Sequence, residues 1–124
     1  MNWKNRLAAA ALIGLSASLP IQQASAADGR ITTEQEFRAK AAGKKLVSES
    51  GWVDVGKDGS LMGEFGGREL TGKWYWEDQY YCRSVQLGGR DLGHDCQVVR
   101  VTEDGMVFHR GKGEGKMSPP YRAE

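Results

Sequence analysis

Long apolar runs are nearly missing from these 124 residues. The one that exists, Leu7 to Leu19, has 13 residues. At roughly 1.5 Å per helical residue it reaches about 20 Å, short of the roughly 30 Å of hydrocarbon that a membrane span must cross. Histidine is limited to His94 and His109, and cysteine to Cys82 and Cys96, with no Cys-x-x-Cys. Such a set is a poor one for zinc, so no metal is implied. Neither charge sign dominates: 17 Lys and Arg stand against 16 Asp and Glu. That balance leaves no basic patch for nucleic acid. No G-x-x-x-x-G-K-[ST] or G-x-G-x-x-G occurs, so neither a phosphate loop nor a dinucleotide fingerprint is present and no cofactor is implied. No Gly-x-Ser-x-Gly elbow exists either.

What is present begins with an export signal. Lys4 and Arg6 precede the apolar run, Pro20 ends it, and Ala24-Ser25-Ala26 is a small-x-small cleavage site. The reading is a cleaved signal over residues 1–26 and one small domain over 27–124, delivered to the periplasm. No cysteine follows the apolar run, so lipid attachment there is excluded. Without Lys4 and Arg6 the charged residues become 15 basic and 16 acidic, a net charge of −1. In an oxidising compartment the two cysteines suit one disulfide, Cys82–Cys96. Its closed loop of about 15 residues is rated near 3 kcal/mol by the chain-entropy model.

Thr32 and Thr33, with Gln35 and Glu36 three residues on, start a helix over Glu34 to Ala42. Phe37 and Ala41 share its packing face, and Gly43 stops it. Ala27 to Ile31 reads as a polar lead. Beyond Gly43 the period becomes two. Turn signals at Asp58-Gly59, Gly66-Gly67, Glu77-Asp78-Gln79, Gly88-Gly89 and Asp104-Gly105 recur every 8–12 residues or so, the spacing of an antiparallel meander. Six strands are expected: Leu46–Val55, Leu61–Phe65, Glu69–Glu77, Tyr80–Leu87, Cys96–Thr102 and Met106–Arg110. The tail from Gly111 reads as flexible. The fold class is therefore mainly β, a meander of about six strands curled into a small barrel or half-barrel, with one short helix; a flat sheet with the helix on one face is the alternative. The expected core is Leu61, Phe65, Leu70, Trp74, Trp76, Tyr81, Val85, Val99, Val101 and Phe108.

Gly72 to Arg83 concentrates the aromatic residues and one cysteine. Trp74 and Trp76 share a strand face; such a pair is usually core, and otherwise a stacking platform. Tyr80 and Tyr81 must split between faces. Arg83 has the parity of Tyr81 and Val85, so it lies on the otherwise apolar face. A Cys82–Cys96 bond brings Asp95 close to Arg83, where a structural ion pair pinning the disulfide hairpin is expected; the alternative is an anion-binding Arg83 at a cavity mouth. His94 precedes Asp95 in a loop leading into a strand, but no nucleophile accompanies it. The ligand-binding candidates are Trp74, Trp76, Tyr81, Arg83, His94 and Asp95. No catalytic residue is assigned. The partner is a small ligand held by the domain, or a protein added at a sheet edge.

Gly51-Trp52, Asp58-Gly59, Gly72-Lys-Trp-Tyr-Trp-Glu-Asp, Tyr81-Cys82-Arg83 and Asp95-Cys96-Gln97 together resemble a group of short exported Gram-negative proteins. These share a signal peptide, a G-x-W-x-W strand, Tyr-Cys-Arg and Asp-Cys-Gln. The likeness spans most of the chain after the signal and implies export. Some members carry the label dihydrodipicolinate reductase. A reductase using a nicotinamide cofactor needs a dinucleotide fold with its glycine fingerprint and usually a second domain. Neither fits here, so the residues favour a non-enzymatic binding or accessory module.

Overall fold

The computed structural model describes Gly14 and residues 29–124. The signal expected over residues 1–26, Gly14 apart, and its expected cleavage site lie outside the described residues. Among those described, no helix is long and apolar enough to cross a membrane.

Among the described residues nine strands and one α-helix follow in order: β1 (Arg30–Ile31), α1 (Glu34–Ala41), β2 (Lys44–Ser48), β3 (Gly51–Val55), β4 (Ser60–Phe65), β5 (Arg68–Glu77), β6 (Tyr80–Leu87), β7 (Arg90–Thr102), β8 (Gly105–His109) and β9 (Arg122–Ala123). All pairings are antiparallel, in the order β1-β7-β6-β5-β4-β3-β2-β9, with β8 also on β7. The sheet is a half-barrel, the kind of fold the meander pattern implies. Two-residue turns at Gly66-Gly67 and Gly88-Gly89 have positive φ throughout (58° and 76°, 59° and 82°). This is the conformation of tight hairpin turns that match strand twist, which side chains disfavour.

The differences from expectation have local causes. Leu46–Val55 is not one strand. Ser48 Oγ accepts from the Ser50 N–H at 3.2 Å and donates to the Gly51 carbonyl at 3.3 Å, closing a Glu49-Ser50 turn between β2 and β3. A hydroxyl bonded to nearby backbone competes with the ladder in just this way. β7 starts at Arg90 rather than Cys96, so His94 lies within a strand and not in a loop. The Arg30–Ile31 lead is a strand, with Ile31 fully buried. Val101 is not core: it is 36% exposed, next to the final pair of the β7–β8 ladder. Phe65 and Trp76 are only partly buried against the core.

The tail departs most. Tyr121 exchanges both backbone hydrogen bonds with Met106 of β8, each 2.8 Å. The next two residues, β9, pair with Val47 and Leu46 of β2. The C-terminal segment thus bridges the open seam of the half-barrel. Earlier in the tail, Gly111–Gly113 forms a short 3-10 turn close to Val98.

α1 packs Phe37 and Ala41 against the half-barrel and exposes its other residues. Thr33 caps it, accepting from the Glu36 N–H at 3.2 Å. It ends one residue earlier than expected, at Ala41, where Lys44 Nζ donates to the Ala39 carbonyl at 3.0 Å. Phe37 is fully buried, with ring centroids 5.2 Å from Trp74, 5.4 Å from Trp76 and 5.2 Å from Tyr81. Gly72 makes room beside this cluster: a Cβ there would collide with the Ser84 carbonyl and the Val85 side chain.

Candidate functional site

Strand alternation sorts the candidates onto two faces. Trp74, Trp76, Tyr81 and Arg83 lie on the inner face. Cys82, His94 and Cys96, one residue out of phase, lie on the outer face. The register pairs Cys82 with Cys96 and Arg83 with Asp95. Cys82 and Cys96 are joined as a disulfide across β6 and β7.

The tryptophans fill space. Trp74 is 4% exposed, and its indole N–H donates to the Gly56 carbonyl at 2.8 Å. The Trp76 N–H donates to the Asp78 carbonyl at 2.9 Å. Both polar handles are therefore spent on backbone. Arg38 of α1 lies over the Trp74 ring at 4.8 Å.

A separate cavity of about 480 Å³ lies between the strands and the C-terminal segment. Neither tryptophan lines it; Tyr81 and Arg83 do. Its apolar wall includes Leu61, Phe65, Leu70, Val85 and Phe108. Each comes from the inward parity of its own strand, β4, β5, β6 or β8. A bulge in the β6–β7 ladder leaves Leu92 without a register partner, and Leu92 also lines the cavity. Tyr121 completes the wall, with ring centroids 5.5 Å from Phe108 and 6.4 Å from Phe65.

Tyr81 separates the two aromatic groups. Its ring is 6.2 Å from Trp74 on one side and 5.2 Å from Phe108 on the other. Burial raises its hydroxyl pKa well above the ordinary phenol value; the nearby Arg83 opposes that shift and Tyr121 adds to it. Tyr121 is raised as well, chiefly by burial, with the Ser48 hydroxyl and Arg110 acting against it. Both phenols stay protonated at neutral pH. Among the described residues the Tyr81 hydroxyl has no hydrogen-bond partner.

The expected Arg83–Asp95 ion pair does not form. Arg83 Nη1 donates to the Gly93 carbonyl at 3.1 Å. The Asp95 carboxylate accepts from Gln97 Nε2 at 2.9 Å and from the Gly111 N–H at 3.1 and 3.3 Å. The salt bridge found among the described residues is Arg38–Glu34, an exposed pair within α1. Asp95 holds the start of the tail, and the Arg83 guanidinium keeps donors for the cavity.

His94 is exposed on the outer face, away from the cavity. Its ring stacks on Tyr75 at 5.7 Å, with Nε2 2.7 Å from the Tyr75 hydroxyl. His94 lies with Cys82 and Cys96 in a group whose ligand atoms are within 4.8 Å of one another. The disulfide uses both sulfurs, so only the imidazole remains to bind a metal.

Sequence reasoning missed Arg110, Lys116 and Tyr121 as cavity residues. The available signal was weak: Met117 and Tyr121 are apolar in an otherwise polar tail. No protein-family model, curated protein or solved structure matches this chain.

Proposed function

We propose that this protein is a non-enzymatic binding module of the periplasm, exported by a signal over residues 1–26, that holds one small molecule inside its half-barrel. One observation carries the reading: a cavity of about 480 Å³ with an aromatic and aliphatic wall and a few polar groups. Pockets for small ligands have this composition and run from roughly 300 to 1,000 Å³. The disulfide suits an oxidising compartment. The resemblance to short exported Gram-negative proteins points the same way. A partner added at a sheet edge has less to rest on, since β1 and β9 are two residues each. A nicotinamide reductase lacks its scaffold, because every pairing in the described sheet is antiparallel.

Val85 lines the cavity beside Gly72, so a bulky residue there occupies the space. Protein purified from the periplasm is examined by native mass spectrometry, and titrated with a fluorescent apolar dye. The expected result is saturable uptake of one dye molecule, abolished in Val85→Trp while Leu92→Ala stays folded with altered affinity. Dye uptake that is non-saturable, or unchanged in both variants, would rule the cavity out as the binding site.

A further inference from the structure

The charge around the cavity is one-sided. Arg83, Arg110 and Lys116 line it, and no Asp or Glu does. The chain as a whole has nearly equal numbers of the two signs, 17 and 16. All three charged side chains of the lining are nevertheless basic. The carboxylate best placed to neutralise it, Asp95 opposite Arg83, is turned to Gln97 and the Gly111 N–H instead.

Two of these cations lie near phenols of the same lining. Arg83 is close enough to the Tyr81 hydroxyl to act on it electrostatically, and Arg110 acts on Tyr121 in the same way. Tyr81 is 7% exposed, lines the cavity, and has no hydrogen-bond partner for its hydroxyl among the described residues. A phenol hydroxyl that faces the cavity without a protein partner is free to donate to an acceptor on a ligand. A protonated phenol is a donor, as are guanidinium and ammonium groups. Three cations and a free donor are complementary to an acceptor-rich, negatively charged group. Phe65, Leu70, Val85 and Phe108 offer that group's carrier only apolar contact.

Resting on the reading of the cavity as a binding site, we propose that its ligand is a free amphiphile with a single acidic group on an apolar body. The acid takes Arg83, Arg110 and the Tyr81 hydroxyl, with Lys116 at the rim. The body lies against Phe65, Leu70, Val85 and Phe108. Roughly 30 Å³ per water-sized group sets the scale of the body at on the order of a dozen non-hydrogen atoms.

The test is isothermal titration of the full chain with three probes that share one body: decanoate, decanol and decyltrimethylammonium. Decanoate is expected to bind one to one and at least about tenfold more tightly than decanol, because hydrogen bonds to charged groups are worth about that much. Decyltrimethylammonium is expected not to bind. Arg83→Gln and Arg110→Gln should each weaken decanoate about tenfold and leave decanol unchanged. Lys116→Gln, on an exposed residue of the tail, gives a smaller loss in the same direction and serves if either arginine variant fails to fold. Shortening decanoate by one methylene should cost about fourfold. Equal affinity for decanoate and decanol would overturn the acidic class while leaving the cavity reading intact. Absence of binding by all three probes would overturn both. Sedimentation with phosphatidylglycerol vesicles without uptake of decanoate would place the anion on a membrane surface and overturn the proposal of a free ligand.

Discussion

Phe37 is the residue through which the helix joins the sheet, and its removal should be the most damaging single truncation. It is fully buried and meets three aromatic rings at 5.2 to 5.4 Å. Truncating a buried Phe to Ala costs about 3–5 kcal/mol through lost transfer energy and the cavity left behind. Aromatic pairs add about 0.5–1.5 kcal/mol each beyond area. The three pairs put Phe37→Ala near the top of the range, about 4–5 kcal/mol. Domains of this size have about 5–15 kcal/mol in total. At about 4–8 °C per kcal/mol, the melting temperature should fall by roughly 15–40 °C. Phe37→Leu keeps most of the volume and loses the ring pairing, so about 1–2 kcal/mol is expected. Urea unfolding followed by tryptophan fluorescence measures both, since Trp74 and Trp76 report from the same cluster. A cost below about 1 kcal/mol for Phe37→Ala, the size of an average substitution, would mean that Phe37 does not anchor α1 to the half-barrel.

Three other outcomes follow from the same structure. Replacing Cys82 and Cys96 by Ala should lower stability by about 3 kcal/mol at neutral pH; equal urea midpoints for oxidised wild type and the double variant would contradict a structural role. Tyr121→Ala should cost about 2–4 kcal/mol and expose residues 111–124 to limited proteolysis, because Tyr121 binds Phe108, Phe65 and Met106; unchanged proteolysis would mean that the tail is held elsewhere. Tyr81 has a raised pKa from burial, so its neutral form is favoured on folding. That stabilisation is complete below the unfolded value of about 10 and is lost as pH rises through the folded value. Tyr81→Phe should therefore flatten the fall in urea midpoint above about pH 10, whereas parallel curves would show that Tyr81 ionisation is not linked to unfolding.

Much of the fold was legible because strand signals are local. Period-two alternation and the Gly-Gly turns at Gly66-Gly67 and Gly88-Gly89 located β4, β5 and β6 to within a residue. The inward parity of Leu70, Trp74, Tyr81, Arg83 and Val85 followed from counting. Other features depended on partners distant in sequence. β9 and β1 are two residues each, too short to carry a periodic pattern, and exist because β2 and β7 offer unpaired backbone. Arg83 and Asp95 were correctly placed opposite each other, yet Asp95 found the Gly111 N–H, a bond that depends on where the tail returns. The cavity was legible only in part for the same reason. Tyr81 and Arg83 come from a regular strand, whereas Arg110, Lys116 and Tyr121 reach it through an irregular return that no spacing announces.

The bridging of the seam has a consequence for assembly in time. Residues 121–123 connect β8 with β2, the eighth and second strands of the chain. Hairpins β2–β3 through β7–β8 are neighbours in sequence and can zip successively, each closing a short loop. The final closure spans almost the whole sheet and carries the larger entropic cost. The wall that contains Tyr121 therefore comes into being last. A chain still being synthesised would hold a paired but gaping sheet until those residues arrive. Capacity to retain a ligand would then mark completion of folding, and a fusion placed directly after Ala123 would act on the closing step before it touched anything else.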